Sequence, residues 1–159
     1  MRTTPRSFYE LFVRPNYWDF QEVPDDARRA FNAAVSAFQL ADVFYNFYSR
    51  EKPSAVSQWP KLKLLHIHLA NIEPSFLTVQ SVATVYKHLY AKGGHYVVGS
   101  PAAVWGVTIP DGEVELISDW QDEKADVLVK RLDGTTVSLS SELENVVNKM
   151  WDGFLPSED

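Results

Sequence analysis

Between Ala27 and Arg50 the apolar residues fall into two parallel rows. Ala27, Phe31, Ala34, Phe38, Ala41, Tyr45 and Tyr48 recur at alternating steps of four and three, which is one face of an α-helix. Ala30, Ala33, Ala37, Leu40, Phe44 and Phe47 form a second row beside the first, and Arg28, Asn32, Gln39, Asn46 and Arg50 hold the remaining side. At about 100° per residue the two rows span roughly half the circumference, wider than the stripe of an ordinary surface helix. The spacing therefore predicts a central helix covered on two sides, with Phe38, mid-helix, among the most buried residues.

The rest of the bundle follows from the same periodicity. Residues 1–26 read as a lead-in, with a short helix over Ser7–Val13 capped by Ser7 and Glu10. The aromatic cluster Tyr17, Trp18 and Phe20 is expected to cover one end of the central helix. Pro24-Asp25-Asp26 supplies the chemistry of a helix start, and Pro53 that of a stop. A second helix is expected from near Pro60, on Leu62, Leu65, Leu69 and Ile72. A third runs from Ser75 to about Lys92 on Phe76, Val79, Val82 or Ala83, Tyr86, and Leu89 or Tyr90, and Gly93-Gly94 ends it. Residues 27–92 thus read as a helical bundle.

The period then changes. From residue 95 to 139, HYVVG, AAVWGVTI, EVELI, ADVLVKRL and TTVSL are short strand candidates separated by turn signals. Pro110-Asp111-Gly112 is one such turn. Asp133-Gly134 is another, a hairpin signal because the turn it favours needs positive φ. Sequential strands on short turns imply an antiparallel sheet. Ser141 and Glu144 form a candidate capping box for a closing helix over 141–155, with Leu143, Val146 or Val147, Met150 and Phe154 inward. The expectation is one α+β domain over residues 1–159. It has an N-terminal helical bundle of three main helices, a C-terminal antiparallel β-meander of four to five strands, and a closing helix.

Composition narrows the function classes. A chain of 159 residues is long enough to bury a core without staples, and it has no cysteine for disulfide or thiolate chemistry. The formal net charge of −6 argues against broad nucleic-acid binding. The N-terminus lacks a secretory signal and no window is apolar enough to span a membrane, so a cytoplasmic location is expected. Aromatic residues reach 13%, so either the core is aromatic-rich or some rings serve an interface, and a homodimer that buries some of them is expected.

Candidate chemistry centres on histidine. His66 and His68 sit two apart on a helical pattern, which points them about 200° apart and prevents them from sharing a metal. A partly buried His66 with a hydrogen-bond partner is the expectation there, and no metal or cofactor is expected. Leu77, Ser81, Thr84, His88 and Lys92 share one row of the third helix. Asp42 lies at the edge of the central helix's apolar arc, where it can meet that row. An Asp42–His88 pair, with Lys87 beside it, is a candidate acid–base site, because histidine titrates near neutrality. The same spacing fits a buried hydrogen-bond network joining two helices, the reading preferred here. Tyr86, Tyr90, Trp105 and Trp120 are candidates to line a small-molecule pocket between bundle and sheet. Glu113, Glu115, Asp119, Asp122, Glu123 and Asp126 read as a solvated sheet face. Phosphate loops, nucleophile elbows and zinc-protease motifs are absent from the sequence.

AFNAAVSAFQLAD, a later helix ending in VYKHLY, a strand–DG–strand hairpin and a last helix bearing MWDGFL resemble bacterial proteins with a HEPN-like helical bundle followed by a small sheet. The resemblance implies a metal-independent ribonuclease in some members, using an arginine, four to six further residues and a histidine on one helix, paired across a dimer. Before His88 the required positions hold Ser81, Val82 and Ala83, so the arginine is missing. Lys61 before His66 and Lys63 before His68 keep the spacing without the bidentate fork. The overall expectation is a self-associating, non-enzymatic binding protein. A divergent nuclease or hydrolase using His88 and a small-molecule pocket are the alternatives.

Overall fold

The computed structural model describes residues 3–88, 104–106 and 126–157, and for 86–88 and 104–106 the backbone alone. The first helix, α1, joins Pro5–Phe8, a π-helical turn Tyr9–Val13 and Arg14–Glu22. Thr4 caps it, taking the backbone N–H of Ser7 while the Ser7 hydroxyl receives that of Thr4, so the box lies three residues earlier than expected. Pro15 would break an ordinary helix interior. The wide turn just before it, where the Arg14 N–H reaches back to the Tyr9 carbonyl, absorbs the missing donor. Residues 5–22 are thus more than a lead-in: Tyr9, Val13, Tyr17 and Phe20 are buried, while Trp18 is exposed.

Helix α2 (Ala27–Glu51) is the central element, capped by Asp26, whose carboxylate accepts from the N–H groups of Arg28 and Arg29. Its second row is the deeper one. Ala30, Ala33, Ala37 and Leu40 are fully buried and Phe44 nearly so, whereas Phe38 is only partly buried, its ring 5.0 Å from His66 and 6.0 Å from Phe76. The small side chains let α4 and α5 approach along the alanine row, and in the first row Ala34 and Ala41 are buried while the larger Phe38 and Tyr45 stay at the boundary.

A 3₁₀ turn, Pro53–Ala55, leads to α3 (Leu62–Ile72) and α4 (Ser75–His88). Leu65 and Leu69 are buried, but Ile72 is 51% exposed, because the repeat runs past the end of the contact with α2. On α4, Phe76, Val79, Val82 and Val85 are fully buried.

The sheet differs from the expected meander of four to five strands. Among the described residues it has three short antiparallel strands, β1 (Val104–Gly106), β2 (Val127–Lys130) and β3 (Thr136–Ser138), in that order, and the chain is mostly helical. Helix α1, read from sequence as a lead-in, instead adds helix to the core through Tyr9, Val13, Tyr17 and Phe20. Helix α5 also begins early. Ser138 rather than Ser141 is its cap, which cuts β3 to three residues. The candidates HYVVG and EVELI, the turn 110–112 and the pair 93–94 lie outside the described residues.

The β2–β3 hairpin closes through a three-residue loop, with Gly134 at φ +88° and its N–H bonded to the Arg131 carbonyl. Glycine is suited to that left-handed backbone, although the loop is one residue longer than the two-residue turn. Arg131 fastens the hairpin to the bundle, reaching Thr78 at 2.8 Å and Glu142 at 3.0 Å.

Helix α5 comprises Leu139–Glu144, a π-helical stretch Asn145–Trp151 and Asp152–Phe154. Its fully buried Trp151 donates from Nε1 to the Ala37 carbonyl of α2 at 2.9 Å. The Tyr9 hydroxyl of α1 donates to the Val147 carbonyl, also at 2.9 Å, and burial lifts its pKa to about 12. One apolar cluster runs through all five helices and β2.

Candidate functional site

Asp42 meets a histidine of α3, His66. Its Oδ1 is 3.2 Å from Nε2 of His66. Position 42 lies at the flank of α2, one turn beyond Phe38, and His66 lies one residue after Leu65 on α3, so the buried Leu65 turns the imidazole toward that flank. The ring packs against Phe38 and, at 6.2 Å, against Phe76. The His66 side chain is 14% exposed and the Asp42 side chain 46%, so the pair stands at the surface rather than in a sealed core. The expected hydrogen-bonded, partly buried His66 is therefore present. His68 faces other neighbours, 5.0 Å from Trp59 and 6.3 Å from Phe154. Among the described residues no group of three or more His, Asp or Glu side chains is placed to hold a metal ion.

The other candidates are distributed differently. Tyr86, Lys87 and His88 end α4 and Trp105 lies in β1, with only their backbones described. Tyr90 and Trp120 lie outside the described residues, as do Glu113, Glu115, Asp119, Asp122 and Glu123. Asp126 is buried at 6% exposure, not on a solvated face.

Beside the Asp42–His66 pair, α3 and α4 diverge and leave a groove of about 380 Å³. Ile67, Ala70 and Leu77 give it an apolar lining, with Lys63, His66, Asn71 and Gln80 as its polar points. Lys63, Ile67 and Asn71 succeed one another at steps of four, which stacks them along one strip of α3. Gln80 is 7% exposed and borders the groove from α4. Lys63 is the one charged group in the lining besides the titratable His66.

Sequence reasoning passed over most of this lining. The signal lay in the 63–67–71 strip, an apolar residue between two polar ones beside the leucine row, which reads as an ordinary solvent face until α4 is placed against it. No family model matches the chain, and neither a curated protein nor a solved structure is similar to it. Among the described residues no helix is long and apolar enough to cross a membrane.

Proposed function

We propose that the chain is a non-enzymatic binding protein whose α3–α4 groove holds a small molecule with an apolar body and an anionic end. Gln80 carries the reading. Its side chain is mostly buried yet borders a groove of ligand size, where its N–H groups can turn to a bound anion in place of water. Lys63 and the amide of Asn71 supply the donors for a carboxylate or similar group, and Ile67, Ala70 and Leu77 the surface for its apolar part.

Octanoate is a suitable probe, observed through backbone amide shifts in NMR. Millimolar octanoate is expected to move the signals of Lys63, Ile67, Asn71 and Gln80. Lys63→Glu should weaken binding about tenfold or more, equivalent to roughly 1.4 kcal/mol. Gln80→Leu should keep the fold and lose the anion preference. The reading fails if octanoate leaves these signals unmoved, or if both variants bind as the parent does.

A second reading rests on the 3.2 Å contact of Asp42 with His66 at the same groove. A carboxylate that orients an imidazole is the arrangement of a general base. With RNA as substrate the base would take the proton of a ribose 2′-hydroxyl, which attacks the adjacent phosphorus and expels the 5′-oxygen, leaving a 2′,3′-cyclic phosphate. A metal-independent ribonuclease of this kind would cleave a single-stranded RNA oligonucleotide in the presence of EDTA and lose that activity in His66→Asn. Intact RNA after prolonged incubation removes this reading and leaves the first untouched.

A further inference from the structure

On the opposite flank of α2 a second groove, of about 340 Å³, lies between α1 and α2. Phe8, Phe12 and Val35 give it apolar surface, and Asn16, Asn32 and Gln39 give it amides. The Phe8 and Phe12 rings sit 5.0 Å apart. Around them α1 leaves unusually large apolar side chains in water: Phe12 is 49% exposed, Leu11 52% and Trp18 50%. Three large exposed hydrophobics on one helix of fewer than twenty residues mark a contact surface rather than scattered surface residues.

We propose that this groove is the two-fold interface through which two copies of the chain associate. The charge pattern singles out a second copy. Each copy has a net charge of −6, so two copies repel unless the contact itself adds no further like charge, and none of the described residues lining the groove carries a charge. An acidic or basic partner would find no complementary charge at the centre. Asn16, Asn32 and Gln39 both donate and accept, so the same set of amides can pair with its own symmetry copy. Beside the groove on α1, Glu10 and Arg14 form an ion pair at 2.8 Å, with the guanidinium 4.7 Å from the Trp18 ring. A rim that carries both signs can also face itself. Aromatic, charge-poor centres with mixed rims are the usual composition of homodimer contacts. This argument is independent of the α3–α4 groove and of any ligand there.

Sedimentation velocity at micromolar concentration tests the proposal. The parent should run at twice the 18.1 kDa chain mass. Phe12→Glu places a carboxylate opposite its own copy and should weaken the dimer by a hundredfold or more, about 2.7 kcal/mol. The Asn32→Lys/Gln39→Lys pair changes two exposed side chains of α2 that support no core packing. It should also produce monomer, and it decides the matter if Phe12→Glu fails to fold. Leu132→Glu, on the distant hairpin, should leave the dimer intact. A parent that is monomeric throughout, or a dimer that survives the α2 pair, overturns the proposal.

Discussion

Asp126 stands just before β2 with 6% of its surface exposed, one carboxylate oxygen held by the Ser138 hydroxyl and the other without a hydrogen-bond partner among the described residues. Burial raises its pKa above the usual carboxylate range, and the Ser138 hydroxyl pulls the other way without cancelling that rise. A carboxyl whose pKa is higher folded than unfolded favours the folded state fully below the unfolded value. That contribution is lost as pH rises through the folded value. Asp126→Asn is therefore expected to stabilise the protein at neutral pH and to flatten the loss of stability between acidic and neutral solution. Urea titrations of both proteins at pH 4 and 7 check the sign, and a variant less stable than the parent at pH 7 contradicts it. Asp126 and Asp42 show how far single residues were legible. The polar–apolar alternation around Asp126 suggested a solvated face, and only the cap that Ser138 builds for α5 turns it inward. Asp42 meets the ring of His66 on α3, a neighbour that spacing on one helix does not reveal, whereas the side chain of His88 lies outside the described residues.

Elements with ordinary α-helical spacing were the readable ones. The bounds of α2 and the buried rows of α3 and α4 follow from a period of 3.6 residues together with Asp26, Pro53 and the leucine and valine rows. Helices α1 and α5 were read poorly at the points where they contain π-turns. Such a turn adds a residue per revolution, so side chains that share a face stop matching the expected spacing. In α5 the stretch Asn145–Trp151 turns Val146, Val147, Met150 and Trp151 all inward, and sequence periodicity alone missed Trp151. That side chain bonds α5 to the backbone of α2. Trp151→Ala should cost about 3–5 kcal/mol, while Trp151→Phe, which keeps most of the volume but loses the bond to Ala37, should cost about 1–2 kcal/mol. Denaturant midpoints of the two variants give the comparison. A cost below about 1 kcal/mol for the alanine variant would show that the two helices are held together elsewhere. The sheet was over-read at its end because Ser138 caps α5 and so ends β3 after three residues.

Across the whole molecule, α1 and α5 close on each other. Arg6 donates to the Leu155 carbonyl at 3.0 Å and the Pro156 carbonyl at 3.3 Å, and pairs with Asp152 at 3.2 Å. These carbonyls lie just past the end of α5, where no helical N–H follows to bond them. Arg6→Ala should cost about 1–2 kcal/mol in urea melts, given that Asp152 is well exposed. Arg6→Lys should recover less than half of that, because an ammonium lacks the planar fork. Full recovery by lysine would mean that charge alone holds the ends together. The closure also has a consequence for how the chain is made. Arg6 and Asp152 are 146 positions apart. At about 5–20 residues per second, the ribosome needs roughly 7–30 s to deliver the partners of the first helix after that helix has been polymerised. Throughout that interval Arg6 and Tyr9 wait without the carbonyls they bond in the finished fold, and the nascent chain is a natural client for chaperones. A permuted gene that places α5 directly ahead of α1 would remove the wait while keeping every contact.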